Sequence, residues 1–85
     1  MKIRFLTHAK QRMKERKISR KLIIDTIQNP DRFAYDRTAV DRYVAKKIFM
    51  SDRKKYLLLV IYEHMKTETV VITVITTSKI NKYLS

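Results

Sequence analysis

Three residues near the start of the chain are spaced for joint chemistry. His8, Arg12 and Arg16 lie four apart, so on a helix they project from one side, stacked turn upon turn. Arginine forks match the geometry of phosphate oxygens. Neighbouring cations disfavour an imidazolium, so His8 is expected neutral and able to take a proton. The competing reading is structural: Arg12 and Arg16 pair with Glu15, Asp31 or Asp36, and His8 packs at the helix start.

A second group lies at the C-terminal end. Thr76, Thr77, Ser78 and Lys79, followed by Lys82 and Tyr83, offer hydroxyls and amines to phosphate oxygens just after the last apolar run. The alternative is that Ser78 caps a closing helix which Ile80, Tyr83 and Leu84 dock on the core. A third group interleaves cations with aromatics: Arg42 and Tyr43, Lys46 and Lys47, Phe49, then Arg53, Lys54, Lys55 and Tyr56. Bases stack on tyrosine while lysine takes phosphates. A solvated strand face is the commoner explanation for such a pattern. On alternation, Lys46 shares a face with Val44 and Ile48, and Lys47 with Tyr43 and Phe49.

Metal chemistry has little to work with. His8 and His64 are the only histidines, His64 falls in a predicted turn, and cysteine is absent. Asp31, Asp36 and Asp41, five apart, are assigned to turns. No metal and no cofactor is expected.

The elements that must hold these groups follow from pattern. Met1–Leu6 alternates weakly and predicts a short strand. Thr7 is placed as the N-cap of a helix over His8–Arg16, which Lys17 and Ile18 break. Ser19 caps a second helix over Arg20–Gln28, with Ile23, Ile24 and Ile27 as its apolar stripe, and Asn29–Pro30 closes it. Strands are predicted over Arg32–Asp36, Tyr43–Met50, Tyr56–Tyr62 and Glu68–Thr76, with a turn at Ser51–Lys54. Tyr56–Tyr62 is apolar on both faces and is placed inside the sheet. Leu58 and Val60 are expected in one core with Met13, Ile23 and Ile27. Thr77–Leu84 is a short closing helix or tail. The whole is one α+β domain, residues 1–85, with two N-terminal helices on one face of a small antiparallel sheet.

Composition bounds the function. The chain has 85 residues, 20 Lys and Arg against 8 Asp and Glu, and a net charge of +12. A thermophile's surface ion pairs need acids that are missing here, so a polyanionic partner is the better explanation. Glycine is absent, which excludes phosphate loops of the Walker or Rossmann kind. No apolar run is long enough for a membrane span or a signal peptide, and a cytoplasmic protein is expected.

The pattern F-x-x-H-A-x-x-R-M-x-x-R-x-I-S, Phe5 to Ser19, with Asn29–Asp31 after the second helix and Val71–Lys79 at the end, resembles a small prokaryotic family of unknown function grouped with RelE, ParE and BrnT-like toxins. That grouping implies a RelE-like fold. It also implies metal-independent cleavage of RNA, by attack of a ribose 2′-hydroxyl on the adjacent phosphate. In such a reaction His8 transfers the proton, and Arg12, Arg16 and Lys79 stabilise the developing charge. ParE-like members act on another protein instead. Three functions therefore stand side by side. The first is a toxin-like endoribonuclease. The second is a nucleic-acid-binding protein without catalysis, using Lys46, Lys47, Arg53, Lys54, Lys55, Tyr43, Ser78 and Lys82, with RNA favoured over DNA. The third is a toxin-fold protein that binds a protein target, its basic surface neutralised by an acidic antitoxin. A monomer or a homodimer is compatible with each.

Overall fold

The run from Tyr56 to Tyr62 is apolar on both faces, and it forms the centre of the molecule. The computed structural model describes residues 2–37 and 39–84. In chain order the elements are β1 (Ile3–Phe5), α1 (Thr7–Arg16), α2 (Arg20–Gln28), β2 (Arg32–Tyr35), β3 (Arg42–Ser51), β4 (Lys54–His64), β5 (Thr69–Thr77) and α3 (Ile80–Tyr83). The sheet order is β1-β5-β4-β3-β2, so β4 is the middle strand of five and is paired on both sides. Leu57, Leu58 and Val60 are fully buried.

The expected antiparallel sheet is in fact mixed. β2 to β5 pair antiparallel, but β1 pairs parallel with β5, Ile3 opposite Thr69 and Phe5 opposite Val71. A parallel pair needs a long crossover, and the helices and the other strands supply it. Backbone bonds fix the orientation: Thr69 N–H donates to Lys2 O at 2.8 Å, and Leu6 N–H to Val71 O at 3.0 Å. A three-residue strand carries too little pattern to show its direction in sequence.

Register sorts the side chains. Tyr43, Ala45, Lys47 and Phe49 of β3 lie opposite Tyr62, Val60, Leu58 and Tyr56 of β4, and so share a face. On β5 the register shifts between Ile61 and Tyr62, leaving Ile72 as an extra residue. This bulge turns both Val71 and Val74 towards the same face. Ala9, Ile18 and Ile23 from the helical region complete that core, with Met13 and Ile27 partly buried against it. The opposite face is largely open, with α3 packed over β4 at one end.

Local chemistry sets the helix ends. Ser19 caps α2, its Oγ accepting from Leu22 N–H at 3.1 Å. Thr7 is not the cap of α1. It is the first helical residue, and Leu6 precedes it with no side-chain bond. Ser78 likewise does not cap α3: Lys79 holds that place, its N–H bonded to Thr77 Oγ1 at 3.1 Å. α1 ends on Lys17 in the left-handed region, φ 55°, with Ile18 N–H donating to Met13 O and Lys17 N–H to Lys14 O. That double bond pattern ends a helix without glycine. It buries Ile18 and swings the chain into α2. Among the described residues no helix is long and apolar enough to cross a membrane.

Candidate nucleic-acid interface

α1 carries His8, Arg12 and Arg16 along one side. His8 and Arg16 are exposed and Arg12 is half-buried. None of the three has a hydrogen-bond or ion-pair partner among the described residues. The acids named as their partners in the structural reading make other contacts. Glu15 accepts from Gln11 Nε2, Asp31 Oδ2 accepts from Ile48 N–H at 2.8 Å, and Asp36 faces Arg42 at 3.9 Å. The row is long: eight residues at a helical rise place His8 about 12 Å from Arg16 along the axis.

Arg16 reaches a cleft of about 470 Å³ between the α1–α2 corner and the β3–β4 hairpin. Glu15, Lys17, Phe49, Asp52, Tyr56 and Thr76 also line it. The Phe49 and Tyr56 rings lie 5.8 Å apart, tilted by 32°. His8, Arg12 and Lys79 do not line this cleft. The four residues that the resemblance assigns to cleavage are therefore divided, with only Arg16 in the cleft.

Charge is distributed unevenly along the sheet. Residues 12–21 and 51–55, which include the α1–α2 corner and the hairpin turn, hold nine of the twenty Lys and Arg and two of the eight acids, while the cleft itself is lined by two cations, Arg16 and Lys17, and two acids, Glu15 and Asp52. Residues 31–42 and 63–68, towards the other end, hold four cations and five acids. The ten residues of β3 separate the two ends by about 30 Å.

The other candidate contacts fall in different environments. Arg53, Lys54 and Lys55 are exposed at the hairpin. Asp52 and Arg53 both have positive φ, 50° and 66°, and join strands whose last pair is Ser51 and Lys54. Lys46 faces the open side of the sheet, opposite Leu59 and Arg32. Lys47 faces the helices. Its Nζ donates to Asn29 O at 2.8 Å and lies 3.7 Å from Asp25 Oδ2, which occupies it in the fold. Ser78, Lys79 and Lys82 are exposed around α3, and Lys82 Nζ stands 5.3 Å from the Tyr83 ring.

Tyr43 belongs to a group that the sequence did not reveal. Phe33, Tyr35, Tyr43, Tyr62 and His64 form a chain of rings at the end away from the cleft, with neighbouring centroids 5.1–5.6 Å apart. β4 continues to His64, where a turn was predicted, and His64 Nδ1 lies 3.1 Å from Thr69 Oγ1. The readable signal was the i, i+2 spacing of Tyr62 and His64. Burial pushes the Tyr62 phenol up from its ordinary pKa, and neighbouring Tyr43 adds to the shift.

No curated protein and no solved structure matches the chain. The pattern of one family does, over residues 5–76, a span that takes in both long helices, the cleft and the ring chain. The chain therefore belongs to DUF4258, a family described as a domain of unknown function.

Proposed function

We propose that this protein binds single-stranded nucleic acid, RNA in particular, through the cation-rich end of its sheet. The observation that carries the reading is the surplus of nine cations over two acids in residues 12–21 and 51–55, the segments that meet at the α1–α2 corner and the hairpin, with Arg12 and Arg16 free of acidic partners among the described residues. Arginine and lysine take the phosphates, and Phe49 and Tyr56 offer ring surface to an unpaired base. The test is a titration of a labelled single-stranded RNA over a range of salt. With five or six phosphates neutralised, log K falls against log salt with a slope of about −4. Sequence preference is weak. Affinity that is absent at low salt, or indifferent to salt, overturns the reading.

A second reading adds cleavage, in the manner of the RelE-type toxins that the Phe5–Ser19 pattern resembles. His8, exposed, without a partner among the described residues and on the same helix side as Arg12, favours it. His8 would accept the 2′-hydroxyl proton as the 2′-oxygen bonds to phosphorus and the P–O5′ bond breaks, Arg12 would hold the phosphate, and the leaving 5′-oxygen would take a proton from water or from the protonated His8, with no metal taking part.

A further inference from the structure

We propose that two copies of this chain pair through β2, antiparallel, about a twofold axis at Ala34. β2 is the edge strand beyond β3. Its pairing fixes which way its backbone groups point. Asp36 N–H donates to Arg42 O at 2.9 Å, so Asp36 and, two residues before it, Ala34 bond inward to β3. Phe33 and Tyr35 then turn their N–H and C=O groups outward, where no strand of the described residues meets them. The two residues are 47% and 71% exposed. An open edge with free donors, acceptors and large apolar side chains is a template for strand addition.

The segment is complementary to itself. Antiparallel pairing about Ala34 sets Phe33 opposite Tyr35 of the second copy, and the two exchange both backbone bonds. Arg32 then lies opposite Asp36 of the second copy. Each pair unites opposite charges, or two aromatics, the combinations that stabilise cross-strand neighbours. Asp36 already faces Arg42, and the second copy brings it a further cation.

Charge singles out the same place. Two molecules of net charge +12 repel over most of their surfaces. Asp31–Arg37 carries two acids and two arginines, and lets the copies meet without that penalty. The closed twofold also uses up the edge, joining two five-stranded sheets into one of ten strands.

Sedimentation of the full chain without nucleic acid, up to about 1 mM, tests the proposal, together with amide hydrogen exchange at rising concentration. A dimer is expected in which the Phe33 and Tyr35 amides gain protection with concentration, while that of Ala34 is protected throughout. Tyr35→Pro lacks the outward donor and the ring but keeps the inward bonds of β2, because proline is tolerated on the open side of an edge strand. It is expected to be folded and monomeric. Arg32→Glu, which opposes two acids across the axis, weakens dimerisation at least about tenfold. A monomer at 1 mM, a dimer whose Phe33 and Tyr35 amides exchange freely, or a dimer that survives Tyr35→Pro overturns the proposal.

Discussion

Lys47 reaches from the middle of β3 to the end of α2, where its Nζ sits 2.8 Å from the Asn29 carbonyl oxygen and 3.7 Å from Asp25 Oδ2. This bond replaces a C-terminal cap, since a carbonyl at the end of a helix has no partner within it. Lys47→Met is expected to lower stability by about 1–2 kcal/mol. For a domain of this size that is a fall in melting temperature of about 5–10 °C. RNA affinity is expected to be unchanged. A lysine that served phosphate would give the reverse, with stability kept and affinity lost.

The hairpin turn gives a stabilising substitution. Asp52 and Arg53 both adopt positive φ, the geometry of a two-residue turn that ordinarily carries glycine. Each left-handed non-glycine residue costs about 1–2 kcal/mol, partly offset because glycine is more flexible when unfolded. Arg53→Gly is expected to stabilise the fold by about 0.5–1 kcal/mol, read by denaturant unfolding with an unchanged slope. A destabilised variant shows that the Arg53 side chain contributes more than its strained backbone costs.

Stability should fall at alkaline pH through Tyr62. Its folded pKa lies above the unfolded value of about 10. The unfolded chain therefore releases the phenolic proton first, and raising the pH above about 10 favours unfolding. Below that pH the contribution is fully present. Tyr62→Phe is expected to flatten the loss of melting temperature between about pH 9.5 and 11 relative to the parent. Parallel curves for the two proteins refute this assignment.

Cleavage and binding separate along α1. Incubation of RNA with the protein in EDTA is expected to yield products ending in a 2′,3′-cyclic phosphate. His8→Ala should lower the rate by about 10²-fold or more, with melting temperature and RNA affinity nearly unchanged, since His8 is exposed and unpartnered among the described residues. Arg16→Ala should weaken binding and reduce the salt slope by about 0.7 for one lost phosphate contact. If the parent binds RNA and leaves it intact, the cleavage reading falls and the binding reading stands.

Most of the secondary structure was legible because each signal was local. Ser19 announced α2, Asn29–Pro30 ended it, and the two-sided apolar run marked the central strand. Non-local pairing was not legible. The parallel contact of β1 with β5 rests on three residues whose pattern is the same in either direction. The bulge at Ile72 is invisible in a run of β-branched residues, and it decides which valines meet the helices. The candidate site divided the same way. Helical spacing placed His8, Arg12 and Arg16 on one side of α1, but the cleft at Arg16 depends on how the hairpin packs against the α1–α2 corner. Sequence grouped Lys47 with the nucleic-acid contacts because alternation gives the face of a residue and not its partner. The ring chain joins β2, β3 and β4 across the sheet, so no window of sequence contains it.

The uneven charge along the sheet has a mechanical consequence. A body with a large surplus of cations at one end and near balance at the other, about 30 Å away, feels more than a pull in the field of a polyanion. It feels a torque. Rotation brings the hairpin and the α1–α2 corner round to the leading position while the molecule is still within about one Debye length, some 8 Å at physiological salt. The β2 edge is left trailing, turned away from the surface approached. Arrival is thus already oriented, and fewer encounters end with the wrong end in contact.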